Sequence, residues 1–430
     1  MVHMLYQPPI DEKYTRMPAD EAQRRIAKLK AALGDQLCIL GHHYQRDAIY
    51  QFADFTGDSL KLSRQAAAVN AKYVVFCGVH FMAESADILR GPQTRNVAFG
   101  DSAPPDRVVI LPDLSAGCAM AEMADADDVA DALDHIAEAT DAQTIPVTYV
   151  NSSAALKALT GRRGGACCTS SNVRNVFEWA LSPRESGQIA PRGSGGLGGA
   201  GGEKILAVPD QHLARNTAVA MGYGLDDCVV YDPKAAGGGL TDSEIRRAKF
   251  ILWKGHCYVH QRFTVEQVAA VRRAVPGVKV MVHPECPHPV FAAADLSGST
   301  EQILRTVSEA APGSKWAIGT EANMVNRLAA ANPDKLVRVL ADTPPLCVTM
   351  ARIDLPHLLW VLEELAAGRV VNRVRVAEDV AADARLALER MVNIKAATTP
   401  MKGGQNMTRS DQMNGNDGKH EKHGARRARA

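Results

Sequence analysis

Eight apolar runs of five to seven residues recur along this chain, and stretches of helical period separate them. The runs are QLCILG (36–41), KYVVFCG (72–78), RVVILPD (107–113), IPVTYVN (145–151), KILAVPD (204–210), CVVYD (228–232), KVMVHPE (279–285) and KWAIGTE (315–321). Between and around them, ADEAQRRIAKLKAAL, DDVADALDHIAEA, VEQVAAVRRAV and DLPHLLWVLEEL place apolar residues every three or four positions, the spacing of one helix face. Such alternation is the grammar of βαβ units, so it predicts an α/β fold built on mostly parallel sheets.

A chain of 430 residues with 46% apolar content can fill two or three packed cores. Its 49 basic and 48 acidic residues nearly cancel, leaving no global field to draw it onto nucleic acid or an anionic membrane. The expected partner is therefore small. No run approaches the roughly 18 apolar residues needed to cross a bilayer, and the opening MVHMLYQPPIDEKYTRMP holds no stretch of signal-peptide length. A cytoplasmic location is expected. Nine cysteines, odd in number and irregular in spacing, suit thiols in a reducing compartment better than a disulfide framework. Two segments stand apart. SPRESGQIAPRGSGGLGGAGGE (182–203) is rich enough in Gly, Ser and Pro to be a mobile surface insertion over 184–202, and the chain from about Pro400 lacks the apolar residues to fold and reads as a disordered tail.

In open α/β sheets, ligands bind beyond the carboxyl ends of the strands. Polar, chemically able residues sit at one such end after another: His42 and Tyr44 in GHHYQ, Cys118 in LPDLSAGCAM, Tyr149 and Asn151 in VTYVNSS, and Ser170 in CCTSSN. Cys257 and His260 in WKGHCYVH and His283 and Glu285 in VHPEC continue the series. A purely structural sheet has no need of so many.

Cys38 and Cys77 lie inside strand-like runs and read as small buried hydrophobes. Cys167, Cys168, Cys228 and Cys286 fit no single class, whereas Cys118, Cys257 and Cys347 each occupy a loop context, SAGCAM, KGHCYV and PPLCVT, and are candidates to share a metal. No CxxC pair occurs, which argues against a zinc ribbon or a ferredoxin-type site. HPECPHP (283–289) crowds possible ligands together, but two prolines interrupt them, Pro284 and Pro287, and break the helical spacing of zinc hydrolases, so an acid-base role for His283 and Glu285 is the better reading. The glycines of GSGGLGGAGG precede a strand instead of opening a helix, which makes them a linker and not a dinucleotide loop. Ser170 and Ser171 do lie between a strand and the helical NVRNVFEWAL. Their hydroxyls and the helix start suit a phosphate, and a plain N-cap explains the same residues.

With these residues collected, the sequence from about 20 to 395 resembles the quinolinate synthase A family, in its longer-branch type. The resemblance rests on GHHYQ, FADFTGDSL, GVHFMAES, YVNSSA, CTSSN, PDQHLARNTA, WKGHCYVH, HPEC, GST and TMARIDLPHLLW, all in order. It implies three similar α/β domains with mostly parallel sheets around a pseudo-threefold axis, with the active site at their junction. The implied divisions are 1–125 with Cys118, 126–265 with Cys257 and the insertion, 266–398 with Cys347, and a tail over 399–430. It further implies a 4Fe-4S cluster on Cys118, Cys257 and Cys347. Substrate contacts would fall on His42, Ser59, Tyr149, Asn151, Ser170, His260, His283, Glu285, Ser299 and Thr300, with proton transfer by Glu285, Tyr44, His42 and His283. The implied reaction condenses iminoaspartate with dihydroxyacetone phosphate to quinolinate, losing phosphate and two waters on the way to NAD. A transient link to L-aspartate oxidase or aspartate dehydrogenase would supply the imine. The competing expectation from another class is a cluster-bearing redox or iron sensor, which has no use for phosphate-holding serines.

Overall fold

The computed structural model describes residues 6–89, 107–183, 199–395 and 399–402. Three five-stranded sheets carry the chain. The first contains β1 (Leu37–His42), β2 (Phe55–Gly57), β3 (Tyr73–Cys77) and β4 (Val108–Ile110). The second contains β5 (Thr144–Tyr149), β6 (Ala166–Cys168), β7 (Lys204–Val208), β8 (Cys228–Tyr231) and β9 (Phe250–Trp253). The third contains β10 (Lys279–Val282), β11 (Leu296–Ser297), β12 (Lys315–Gly319) and β13 (Leu336–Val339). All of these pair in parallel. Two late strands, β14 (Arg373–Val374) and β15 (Met401–Lys402), add antiparallel to β4 and β11.

One neighbour order recurs three times, with the first strand of each sheet between its second and its third: β2-β1-β3-β4, β6-β5-β7-β9 and β11-β10-β12-β13. The protein is thus built from three similar α/β domains. Parallel strands covered on both faces must be apolar throughout, and β1 and β7 are buried along their whole length. All eight apolar runs contain strands. Most of them run past their strands, and in KILAVPD, KVMVHPE and KWAIGTE the residues that leave the ladder matter to the site: Asp210 and Glu321 cap the next helices, and Glu285 follows the strand into the cavity. Among the described residues, no helix is long and apolar enough to cross a membrane.

Within the stretch 266–398, the chain lies in the third sheet only as far as Val339. It then returns to the other two. The helix Leu355–Ala366 packs on the helix Ala19–Leu33, β14 extends the first sheet, and the helix Glu378–Asn393 lies along the helix Ala154–Arg162.

Residues 184–198 of the expected insertion and 403–430 of the expected tail lie outside the described residues. The ends of both segments are built in, contrary to their composition. Ala200 is buried and its N–H donates to the Trp179 carbonyl at 3.0 Å, while Gly201 and Gly202 donate to Ser182 and Ala180 at 2.8 and 2.9 Å. Met401–Lys402 pair with Leu296–Ser297. Backbone groups need no apolar side chains to complete a ladder or a turn, which is why composition alone misjudged these residues.

The helix Ala154–Arg162 meets the helix Glu378–Asn393 at Gly161, where an added Cβ would stand 2.0 Å from the Asp383 carbonyl oxygen. Backbone cannot yield there without moving a helix. Gly161→Ala is therefore expected to destabilise the fold by about 1–3 kcal/mol, seen as a lower melting temperature in calorimetry; an unchanged melting temperature would show that the helices separate freely.

Candidate active site

Each sheet delivers side chains to one cavity from three matching places. Beyond the first strand of each come His42 and Tyr44, Tyr149 and Asn151, and His283 and Glu285. Beyond the second strand come Ser59, Ser170 and Thr300, and beyond β4, β9 and β13 come Cys118, Cys257 and Cys347. His260, in the turn after Cys257, joins them. Two of the hydroxyl residues singled out in the sequence stand back from the cavity wall, Ser171 and Ser299; Ser299 is fully buried and caps the helix Thr300–Ser308, its Oγ accepting from the Gln302 N–H.

A continuous network crosses the cavity. His260 Nδ1 lies 2.6 Å from Glu285 Oε2, and its Nε2 lies 3.0 Å from the Thr320 hydroxyl, which is 2.8 Å from the Tyr44 hydroxyl. The His260 and His283 rings stack at 4.4 Å between centroids. The Glu285 N–H donates to His283 Nδ1, so the proton of the neutral ring sits on Nε2, 3.2 Å from Ser170 Oγ. In the same way the Tyr44 N–H donates to His42 Nδ1.

Burial fixes the charges here. It pushes His42 down to about 3, helped by His43 and His283, and it pushes His283 down to about 3, helped by His260, so both rings are neutral at pH 7. Burial also opposes ionisation of Glu285, but the flanking histidines together with hydrogen bonds from His260 and Tyr149 outweigh it and hold that carboxyl below the usual carboxylate range. Burial and the Glu285 charge raise Tyr44 and Tyr149 well above the ordinary tyrosine value. Around the Glu285 carboxylate the site thus sets four neutral groups, His42, His283, Tyr44 and Tyr149.

Next to this network, three helices begin together: Ser59–Ala68, Val173–Leu181 and Thr300–Ser308, one from each domain. A buried relay joins their starts. The Ser171 hydroxyl bonds the Asp58 carboxylate, which caps the first helix, and lies 2.9 Å from Ser299 Oγ, which caps the third. Above this relay Ser59, Ser170 and Thr300 face the cavity, and free N–H groups at helix starts favour an anion. The Asn151 side-chain oxygen is buried with no hydrogen-bond partner among the described residues, as expected of a group waiting for a ligand.

Burial pushes the Cys118 thiol up to about 12, and burial with the Glu285 charge raises Cys257 well above its ordinary value. Such thiols are inert unless a cation draws off their protons. Among the described residues, the one group of three potential ligands within 4.8 Å of one another is Cys257, His260 and Glu285, and two of its members already bond each other. The three cavity cysteines do not close to that distance, as thiolates around a single tetrahedral ion would. Three thiols facing one cavity, none of them in a disulfide, are a donor set able to hold a metal group there.

The family model described as quinolinate synthetase A protein matches residues 24–191 and 197–393. The chain belongs to this family. Proteins named quinolinate synthase resemble it along nearly their whole length. The one from Nocardioides sp. is 53% identical over 371 residues, covering 86% of this chain and 88% of its own. The one from Streptomyces coelicolor is 53% identical over 376 residues, covering 86% and 87%. The one from Corynebacterium glutamicum is 47% identical over 397 residues, covering 92% and 93%.

Sequence reasoning passed over Thr320, which bridges Tyr44 and His260, and Asp58, which anchors the helix starts. Thr320 was hidden because the run KWAIGTE was taken as strand to its end. Asp58 precedes Ser59 in TGDSL, and an acid just before a helical segment is the signal of a cap.

The two neutral histidines tie stability to pH. In the unfolded chain His42 and His283 titrate near 6.5, in the folded one near 3, so the unfolded state binds more protons throughout that window. Stability is then lost as the pH falls below 6.5, by up to about 1.4 kcal/mol per pH unit for each ring. Glu285, with its folded value depressed, adds a further loss only below the ordinary 4.5. The melting temperature of metal-free protein is expected to fall from pH 7 to pH 5 and to fall less steeply in His42→Gln; equal slopes in the two proteins would refute the assignment.

Proposed function

We propose that this chain is a quinolinate synthase that condenses iminoaspartate with dihydroxyacetone phosphate, with loss of phosphate and two waters. One observation carries the reading: three thiols, an anion-favouring wall and an acid-base network, each drawn from more than one domain, line a single cavity. The family and the names of its relatives agree with it.

Cys118, Cys257 and Cys347 would hold a 4Fe-4S cluster. Bound by three protein thiolates, such a cluster supplies an iron with a free position, the Lewis acid that loss of a hydroxyl needs. Ser59, Ser170 and Thr300, with the helix starts behind them, bind the phosphate. Ser299 serves this wall from beneath. Asn151 and Tyr149 bind the carboxylates and imine of the other substrate. Glu285, an anion at neutral pH, takes the protons next to the carbonyl and the imine. His260 and Thr320 connect it to Tyr44 on the far side, so a proton taken by the carboxylate has a route across the cavity. His283 donates from Nε2 and His42 orients the substrate beside it. The domain limits in this reading fall near 125 and 265, so that each domain brings one thiol. The imine comes from L-aspartate oxidase or aspartate dehydrogenase, and nine free thiols suit the cytoplasm. A redox or iron sensor would leave the anion-favouring wall and the network without a task.

Two experiments test these roles. Cys118→Ser is expected to abolish the brown cluster absorption and the activity, while Cys38→Ala, whose thiol is buried in β1 away from the cavity, keeps both. Full iron content in Cys118→Ser would sink the ligand assignment. Glu285→Gln keeps size and hydrogen bonding but removes the base. Turnover of the cluster-loaded protein should drop by about 10²- to 10⁴-fold with KM little changed. Near-normal turnover, or a change in KM alone, would move the role to Tyr44 or His283.

A further inference from the structure

Of the sequence motifs that carry the family resemblance, PDQHLARNTA (209–218) alone lends no residue to the cavity wall among the described residues. It runs into the helix Gln211–Ala220, which follows β7. Asn216 sits fully buried in the middle of that helix. Helix interiors disfavour asparagine, so its place there needs a tertiary reason.

The reason lies across the domain boundary. The Asn216 side-chain amide donates both of its N–H groups to the third domain, to the Pro284 carbonyl at 2.8 Å and to the Cys286 carbonyl at 2.8 Å. These are the residues on either side of Glu285. Only an NH2 group can serve two carbonyls, so Asn216 Oδ1 faces the other way, where it accepts from His288 Nδ1 at 2.9 Å.

The turn that carries Glu285 cannot supply these donors itself. Pro284 and Pro287 have no N–H. The His283 N–H donates to the Gly319 carbonyl at 3.0 Å, the Cys286 N–H to the His283 carbonyl at 3.0 Å, and the Glu285 N–H to His283 Nδ1 at 3.3 Å, so every N–H of the segment 283–287 is already engaged. Pro284 and Cys286 are buried, and without Asn216 both carbonyls would lose the donor that satisfies them. The second domain thus holds Glu285 twice: His260 meets its carboxylate at 2.6 Å, and Asn216 fastens the backbone on both sides of it.

We propose that Asn216 is a positioning residue for Glu285: by holding the carbonyls of Pro284 and Cys286 with one buried amide, itself held by His288, it sets where the Glu285 carboxylate stands in the cavity. The inference rests on the reading of Glu285 as the base. A misplacement of about 1 Å in a reacting group can cost about 10²-fold in rate.

The test uses anaerobically purified, cluster-loaded, full-length protein. Asn216→Leu keeps the volume and removes both donors; His288→Phe leaves the amide in place and removes the bond that holds it. Each is made in the parent and in Glu285→Gln, and turnover, KM, iron per chain and melting temperature are read for all. In the parent, Asn216→Leu should lower turnover about 10- to 100-fold with KM and iron content little changed, and His288→Phe should lower it in the same sense by a smaller factor. In Glu285→Gln no base is left to position, so either substitution should cost less than about two-fold more. An equal loss in both backgrounds would make the amide a strut between domains and overturn the proposal, as would parental turnover in Asn216→Leu. Should Asn216→Leu fail to fold, the two His288→Phe proteins decide by the same comparison. Near-normal turnover of Glu285→Gln alone would instead refute the base reading, and it is measured before any Asn216 variant is compared.

Discussion

The Ser171 hydroxyl, held between the Asp58 carboxylate and the Ser299 hydroxyl, is the contact on which the rest of the site depends. Three helices that begin at one point bring their positive ends together, and their free N–H groups would repel one another unless something negative lay among them. Asp58 supplies accepting carboxyl oxygens there, although burial raises its carboxyl, and Ser171 passes the bond across the domain boundaries. A buried carboxylate is tolerable only with its oxygens satisfied; here the Lys61 N–H and the Ser171 hydroxyl do so. The junction is thereby anchored from within, and the cavity above it can be left polar and open for a ligand.

The threefold repetition explains how one cavity gathers so many kinds of chemistry. A repeated sheet offers three copies of each strand end, and the protein has filled the first triplet with unlike residues, His-Tyr, Tyr-Asn and His-Glu, and the second with near-alike hydroxyls. Only one member of the first set, Glu285, carries charge. A second buried carboxylate beside it would force one of the two to keep its proton. The thiol triplet departs furthest from this variety, since all three copies are alike.

How much of this could be read from the chain follows from what each signal measures. Parallel strands buried on both faces are continuous apolar runs, so β1, β5, β7, β10 and β12 were visible in full. The three-residue β2 and the two-residue β11 carry too little pattern to be seen, and Ser59 and Thr300 beyond them were found through the family motifs, whereas Ser170 was found from its place between the short β6 and the helical NVRNVFEWAL. Cys118, Cys257 and Cys347 stood out because glycines and prolines around them break strand and helix alike. Thr320 and Asp210 were lost because a run of apolar residues does not reveal where its ladder ends; a cap belongs to the helix that follows, and only the hydrogen bonds assign it. The junction of Asp58, Ser171 and Ser299 joins residues far apart in sequence, and no local spacing encodes such a meeting.

The return of the chain to its starting sheet has a consequence for folding. The edge of β4 is completed by β14, and the helix Ala19–Leu33 is covered by Leu355–Ala366, so the first of the three domains in chain order is finished by residues that follow the third sheet's strands in sequence. Until these dock, its edge strand stays open and part of its core lies uncovered, a state that invites mispairing. The loop bearing Cys347 runs directly into this closing segment. All three thiols can therefore face one another only once the chain has folded back on its first domain.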